Sequence, residues 1–188
     1  MDGVQKKRYL IHNLPLRTMA NHTVLPRQTG DGTTLLYRFS EQGVFLIATI
    51  DRHHQKKRLD SNRPVLLFPA RPGTRWHDTT TTFLLEKTGP PQRTLFRIQE
   101  RLTLEHRIVA DNITVKVPAG TFTGCLRIDA HGRVNADVGN YVGKVRITIE
   151  QSQWYAPNTG LVKAVRREQT DSPALDHGEY EMVLVRYR

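Results

Sequence analysis

Phe96-Arg97-Ile98-Gln99-Glu100-Arg101-Leu102-Thr103-Leu104-Glu105-His106-Arg107-Ile108 is the stretch that decides the fold. Its even positions read Phe, Ile, Glu, Leu, Leu, His, Ile. Its odd positions read Arg, Gln, Arg, Thr, Glu, Arg. Apolar residues at every second place turn one side of an extended chain toward a core and the other toward water. A helix would spread the same residues around its circumference. The pattern predicts one long half-buried strand, with Phe96, Ile98, Leu102 and Leu104 inward and Arg97, Gln99, Arg101 and Thr103 outward.

The same period recurs on either side. Leu35, Tyr37 and Phe39 share a face, and after a turn at Gln42-Gly43 so do Val44, Leu46, Ala48 and Ile50. Phe122, Leu126, Ile128 and Ala130 line another strand, Tyr141, Val145, Ile147 and Ile149 the next, and Tyr180, Met182 and Leu184 the last. Gly30-Asp31-Gly32, Gly89-Pro90-Pro91 and Asp171-Ser172-Pro173 punctuate them as turns. No stretch reads as a capped amphipathic helix of three turns. The expectation is an all-β fold with at most one or two short helices. Residues 52–76 carry Pro64, Pro69 and Pro72 and read as an irregular excursion that returns to the sheet through Val65-Leu66-Leu67-Phe68.

A chain of 188 residues fits a single β domain spanning 1–188, since all-β domains of roughly 200 residues are common. Its length can bury a core without metal or disulfide staples. A hydrophobic fraction of 38% suits a sheet with one wet face and does not suggest a disordered chain. The formal charge of +10 favours acidic partners, although the basic residues are mostly scattered and can serve solubility alone. The single cysteine, Cys125, cannot form an internal disulfide and reads as a small buried strand residue.

The chain carries few residue patterns that support chemistry. Eight histidines are present, but no His-Glu-x-x-His and no cysteine pair at zinc spacing. His53-His54 sits inside Arg52-His53-His54-Gln55-Lys56-Lys57-Arg58, where neighbouring cations oppose a metal ion. Arg52, Lys56, Lys57 and Arg58 instead read as a solvated basic loop suited to an anionic membrane surface. His106 and Glu100 fall on the apolar side of the long strand. They read as either satisfied core groups or an acid/base pair. No Gly-rich phosphate cradle, nucleophile elbow or carboxylate metal cluster appears, and no cofactor is expected. The basic clusters, Lys6-Lys7-Arg8 and Arg166-Arg167 included, are poor in aromatics, which disfavours nucleic acid. Met1-Asp2-Gly3-Val4-Gln5-Lys6-Lys7-Arg8 has no apolar run behind its charges. The chain is therefore expected to be either cytosolic or cut after a leader or lipid-anchor cysteine.

Two turn-and-strand segments carry a resemblance. Val117-Pro118-Ala119-Gly120-Thr121-Phe122 ends one strand at a proline that lacks an N–H and opens the next after a glycine. Trp154-Tyr155-Ala156-Pro157-Asn158-Thr159-Gly160-Leu161-Val162-Lys163 reads as a second hairpin. Together they resemble the VPAGTF and WYAPGVGLVK pattern of a family of uncharacterised bacterial envelope proteins, many of them lipoproteins. Gln42-Gly43-Val44-Phe45 and Leu66-Leu67-Phe68-Pro69-Ala70-Arg71-Pro72-Gly73-Thr74-Arg75-Trp76 are similar to two further segments of that family. Asn158-Thr159 departs from its usual Gly-Val. The resemblance implies a strongly curved single antiparallel sheet, a half-barrel or open barrel similar to the lipoprotein carriers. It also implies an envelope location, periplasmic or lipid-anchored, and favours the processed chain over the cytosolic one. It supplies no catalytic residue.

The expected function is a non-enzymatic binding or interaction module, with an apolar or lipid ligand on the concave sheet face. Phe122, Trp154, Tyr155, Trp76 and His106 are the candidate lining. A purely structural or protein-interaction domain is the alternative, its partner unspecified. A basic surface binder of anionic lipid or nucleic acid follows, and a hydrolase using His106 comes last.

Overall fold

The computed structural model describes residues 10–19, 21–89, 94–139, 142–175 and 177–187, with the side chains of 60, 87–89 and 94–97 outside the description. Every regular element among them is a strand. The chain divides into two compact units, 1–69 and 70–188. The all-β antiparallel expectation holds. The strands fall into two six-stranded sheets and a two-stranded ribbon, however, and not into one sheet.

The first unit contains β1 (Ile11–Asn13), β2 (Arg17–Met19), β3 (His22–Thr29), β4 (Thr34–Ser40), β5 (Gly43–Ile50) and β6 (Lys56–Leu67). They run in the order β1-β3-β4-β5-β6, with β2 also on β3. Residues 52–76 are thus less irregular than the prolines implied. β6 pairs with β5, and a bulge between Val44 and Phe45 absorbs the ladder donor that Pro64 lacks. The basic segment is ordered as well. Asp51 accepts hydrogen bonds from the His53 and Gln55 amides at 2.8 and 2.9 Å, which folds the turn that leads into β6.

The buried set of this sheet also differs from the simple alternation. Val24, Leu36 and Ala48 form its core, flanked by Met19, Ile47 and Ile50. Leu35, Tyr37 and Phe39 lie on the opposite face from Leu36. A register shift pairs Leu36 with Ala48 but Tyr37 with Leu46, so Ile47 is the extra residue. One bulge therefore sends Val44 and Leu46 to one face and Ala48 and Ile50 to the other.

The second unit contains β7 (Arg75–Thr81), β8 (Glu86–Gly89), β9 (Thr94–Arg97), β10 (Arg101–Val117), β11 (Gly120–Asp137), β12 (Lys144–Ala156), β13 (Gly160–Thr170) and β14 (Gly178–Val183). β8 and β9 form the ribbon, and the large sheet runs β14-β13-β12-β11-β10-β7. The long strand predicted from Phe96 is interrupted at Ile98–Glu100 and then runs past Ile108 to Val117. Thr82 causes the break. Its hydroxyl donates to the Ile98 carbonyl at 2.7 Å and accepts from the Glu100 amide at 2.8 Å, which hooks the chain off the ladder.

The predicted orientation of the long strand holds where it can be read. Leu102 and Leu104 are buried, Ile98 is half-buried, and Gln99, Arg101 and Thr103 are exposed. Phe96 and Arg97 lie outside the described side chains, as Tyr141 and Lys6-Lys7-Arg8 lie outside the described residues. On β11 the buried residues are Phe122, Cys125, Ile128, Ala130, Gly132 and Ala136, with Leu126 half-buried. Three clusters fill the inner face of the large sheet. Val115, Val117, Phe122, Cys125, Ala156 and Val162 occupy one end. Leu102, Leu104, Ala130 and Ile149 lie between. Leu85, Ala136, Val145, Ile147 and Leu175 close the other end.

Both signature segments are hairpins. Val117 faces Gly120 across Pro118-Ala119, and Ala156 faces Gly160 across Pro157-Asn158-Thr159. Gly120 and Gly160 have φ of 137° and 90°, where a side chain is strained. Asn158 has φ 57°, a left-handed position that asparagine tolerates better than most residues. That accounts for its standing where the resembling pattern has glycine.

Candidate functional site

A groove of about 560 Å³ lies on the solvent-facing side of the large sheet. The alternation that buries the even residues of β10 turns its odd residues outward. Register then aligns them with charged residues of neighbouring strands. One row across the sheet reads Glu105, His131, Glu150, Arg167, Glu179 from β10 to β14. The adjacent row reads Arg75, Arg107, Asp129, Ser152, Val165 from β7 to β13. Beyond it lie Arg127, Trp154 and Lys163, with both cations over the Trp154 ring, at 5.4 and 5.5 Å from its centroid.

Most of these charges are matched. Arg75 meets Glu105 at 3.1 Å. Arg127 grips both oxygens of Asp129 at 2.9 and 3.0 Å, and the Ser152 hydroxyl donates to the same carboxylate at 2.8 Å. Arg167 donates to Glu179 at 2.8 Å, and that carboxylate raises the guanidinium pKa further above its ordinary range. Arg107 differs. It faces Arg75 directly across the β7–β10 pair, is exposed, and its guanidinium makes no hydrogen bond or ion pair with a described residue. Like charges directly opposite one another destabilise a sheet, and Asp129, which faces Arg107 on the β11 side, is already gripped by Arg127, so this corner carries an excess of positive charge.

The five residues expected to line a ligand cavity separate into two groups. Trp76 and His106 are Cα partners on β7 and β10. Their rings stack at 5.3 Å with planes 4° apart, both buried. Glu100 does not join them as an acid/base pair, because it lies in the loop before β10 with its backbone engaged by Thr82. Phe122 belongs to the buried cluster at the hairpin end and tilts against Tyr187 at 5.4 Å. Trp154 packs beside that cluster and also borders the groove through Arg127, while Tyr155 is half-buried opposite the β13 bulge at Val162. Arg52, Lys56, Lys57 and Arg58 are exposed in the other unit.

The inner face also holds a polar latch that sequence reasoning missed. Glu168 is fully buried and Arg166 is 5% exposed. Arg166 donates to Glu168 at 2.7 and 2.8 Å, to the Thr80 hydroxyl at 3.1 Å and to the Thr81 carbonyl at 3.0 Å. Its guanidinium lies over Phe83 at 4.7 Å. Glu168 accepts in turn from the Phe83 and Leu84 amides at 3.0 and 2.9 Å. Gly178 lies so close to Leu84 that a Cβ there would meet the Leu84 carbonyl. The arrangement anchors residues 80–84. It exposes no reactive group.

No three His, Cys, Asp or Glu side chains cluster as a metal site among the described residues. Burial raises the Cys125 thiol above its ordinary pKa, which suppresses the nucleophilic thiolate. Compared with protein-family models, with curated proteins and with solved structures, the chain matches none.

Proposed function

We propose that this protein is a non-enzymatic binding module whose groove on the large sheet takes a small polar ligand bearing a carboxylate or phosphate group. The observation that carries the reading is Arg107. It is an exposed guanidinium set beside Arg75, in a groove where Arg75 holds Glu105 and where Arg127 and Ser152 hold Asp129. An anionic group there would relieve the repulsion and gain charge-assisted, bidentate hydrogen bonds. Glu105 and Glu150, with His131 between them, would select ligands that also carry a cationic or hydroxyl group. An apolar chain lying along the inner face is the weaker reading, since three buried clusters and the Arg166–Glu168 latch occupy that face.

The half-barrel implied by the resemblance is part of this proposal for the large sheet. Arg166 on β13 touches Thr80 and Thr81 on β7, four strands away in the sheet order. Laid flat, four spacings cover about 19 Å, well beyond one side chain, so the contact favours a strongly curled sheet. The envelope location rests on the hairpin motifs alone.

Native mass spectrometry of the protein purified without denaturant tests the reading. A bound small anion is expected on the parent and not on an Arg107→Glu variant of equal stability. A parent free of adduct that also takes up neither citrate nor pyrophosphate would refute it. So would equal uptake by both proteins.

A further inference from the structure

The first sheet has two unlike faces. One carries the buried core of Val24, Leu36 and Ala48. The other is set by register. Its rows are Leu25, Tyr37, Leu46, Arg63, then Phe39, Val44, Leu66, then Arg27, Leu35, Thr49, Lys57. The apolar members of these rows are half-buried or exposed, none fully buried. At the β4–β5 turn end Phe39 is 41% exposed, and Phe68, held there by its amide to the Gln42 carbonyl, is 44% exposed. A soluble sheet normally turns polar residues to its second face. This one presents leucines and aromatics edged by cations.

We propose that this face docks on an anionic lipid bilayer. Charge complementarity selects that occupant. Residues 1–69 contain eleven Lys and Arg against five Asp and Glu. Two of those carboxylates are engaged in turns, Asp31 with Thr29 and Thr33 and Asp51 with His53 and Gln55. Arg27, Arg63 and Lys57 stand on the apolar face itself; burial raises the Tyr37 phenol above its ordinary pKa, and Arg27 and Arg63 lie near enough to oppose that shift. Exposed aromatics with adjacent cations match the interfacial region of a membrane, where rings enter the acyl boundary and ammonium and guanidinium groups meet headgroups. Arg52 precedes the edge strand β6, and Lys56 and Arg58, exposed on its other side opposite Ile50 and Ala48, add to the positive charge of the unit.

The test is co-sedimentation with vesicles of phosphatidylglycerol and phosphatidylcholine in equal parts, and with phosphatidylcholine alone. The parent should bind the mixed vesicles and not the neutral ones. Phe39→Ser with Phe68→Ser should weaken that binding by about tenfold or more, from the apolar area no longer buried, with an unchanged circular dichroism spectrum. Arg52→Gln, Lys56→Gln, Lys57→Gln and Arg58→Gln together should weaken it most at low salt. Equal sedimentation of parent and phenylalanine variant would overturn the proposal, as would failure of the parent to bind the mixed vesicles. A parent dimer that the phenylalanine variant abolishes would assign the face to a second copy of the chain and equally overturn it.

Discussion

Replacing Glu168 with alanine should be the most damaging single change in the second unit. The side chain is fully buried and receives donors from Arg166 and from two backbone amides, Phe83 and Leu84. Removing it leaves a buried guanidinium without its counter-charge, which typically costs about 3–5 kcal/mol. Each stranded amide adds part of a desolvation penalty of about 1–3 kcal/mol, to the extent that water cannot reach it. The expected loss is at least about 4 kcal/mol, a large share of the roughly 5–15 kcal/mol that holds a typical domain folded. Glu168→Gln keeps the shape and one acceptor oxygen and should lose about 1–3 kcal/mol. Arg166→Met with Glu168→Leu removes both charges and should recover part of the loss of Glu168→Ala, since no buried charge is left unpaired, although the two amides and the Thr80 and Thr81 oxygens lose a partner. Urea unfolding followed by circular dichroism measures all three against the parent, with the midpoint moving at constant slope. The reasoning fails if Glu168→Ala stays within about 1 kcal/mol of the parent, or if the double variant is less stable than Glu168→Ala.

Further outcomes follow from individual residues. Gly120→Val and Gly160→Val should each lower stability by about 1–3 kcal/mol through backbone strain alone, because neither position has an atom within 4 Å of an added Cβ; equal melting temperatures in parent and variants would show that neither φ is required. Cys125 should react with iodoacetamide at neutral pH far more slowly than a free thiol, and full labelling without unfolding would contradict its burial. Trp76→Phe should cost little despite the burial of the ring, since the Trp76 indole N–H finds no hydrogen-bond acceptor among the described residues. Thermal denaturation checks it, and a drop as large as that expected for Glu168→Ala would place a hidden acceptor there.

The sequence reading reached the second unit better than the first, for a physical reason. On β10 the chain alternates without interruption from Arg101 to Ile108, so burial follows parity. On β5 the bulge at Ile47 reverses parity halfway along, and a bulge that carries no glycine leaves no mark in composition. The candidate groove was half legible. The outward charges of β10 were visible, but their meeting with Asp129, His131, Glu150 and Arg167 depends on cross-strand register, which periodicity does not contain. The latch was hidden in the same way. Arg166 reads as one more basic residue until Glu168 and the crossing at Thr80–Leu84 surround it. The aromatic residues of the signature drew attention as a cavity lining, and in the folded chain Phe122 is core while Trp76 and His106 stack on one another.

The measurement that tests the binding claim most directly is a ¹H–¹⁵N correlation spectrum titrated with citrate and with pyrophosphate. Saturable shifts are expected at Arg107, Asp129 and neighbouring amides of β10 and β11, absent in Arg107→Glu. Shifts confined to residues 10–69, or no saturable shift with either anion, would contradict it.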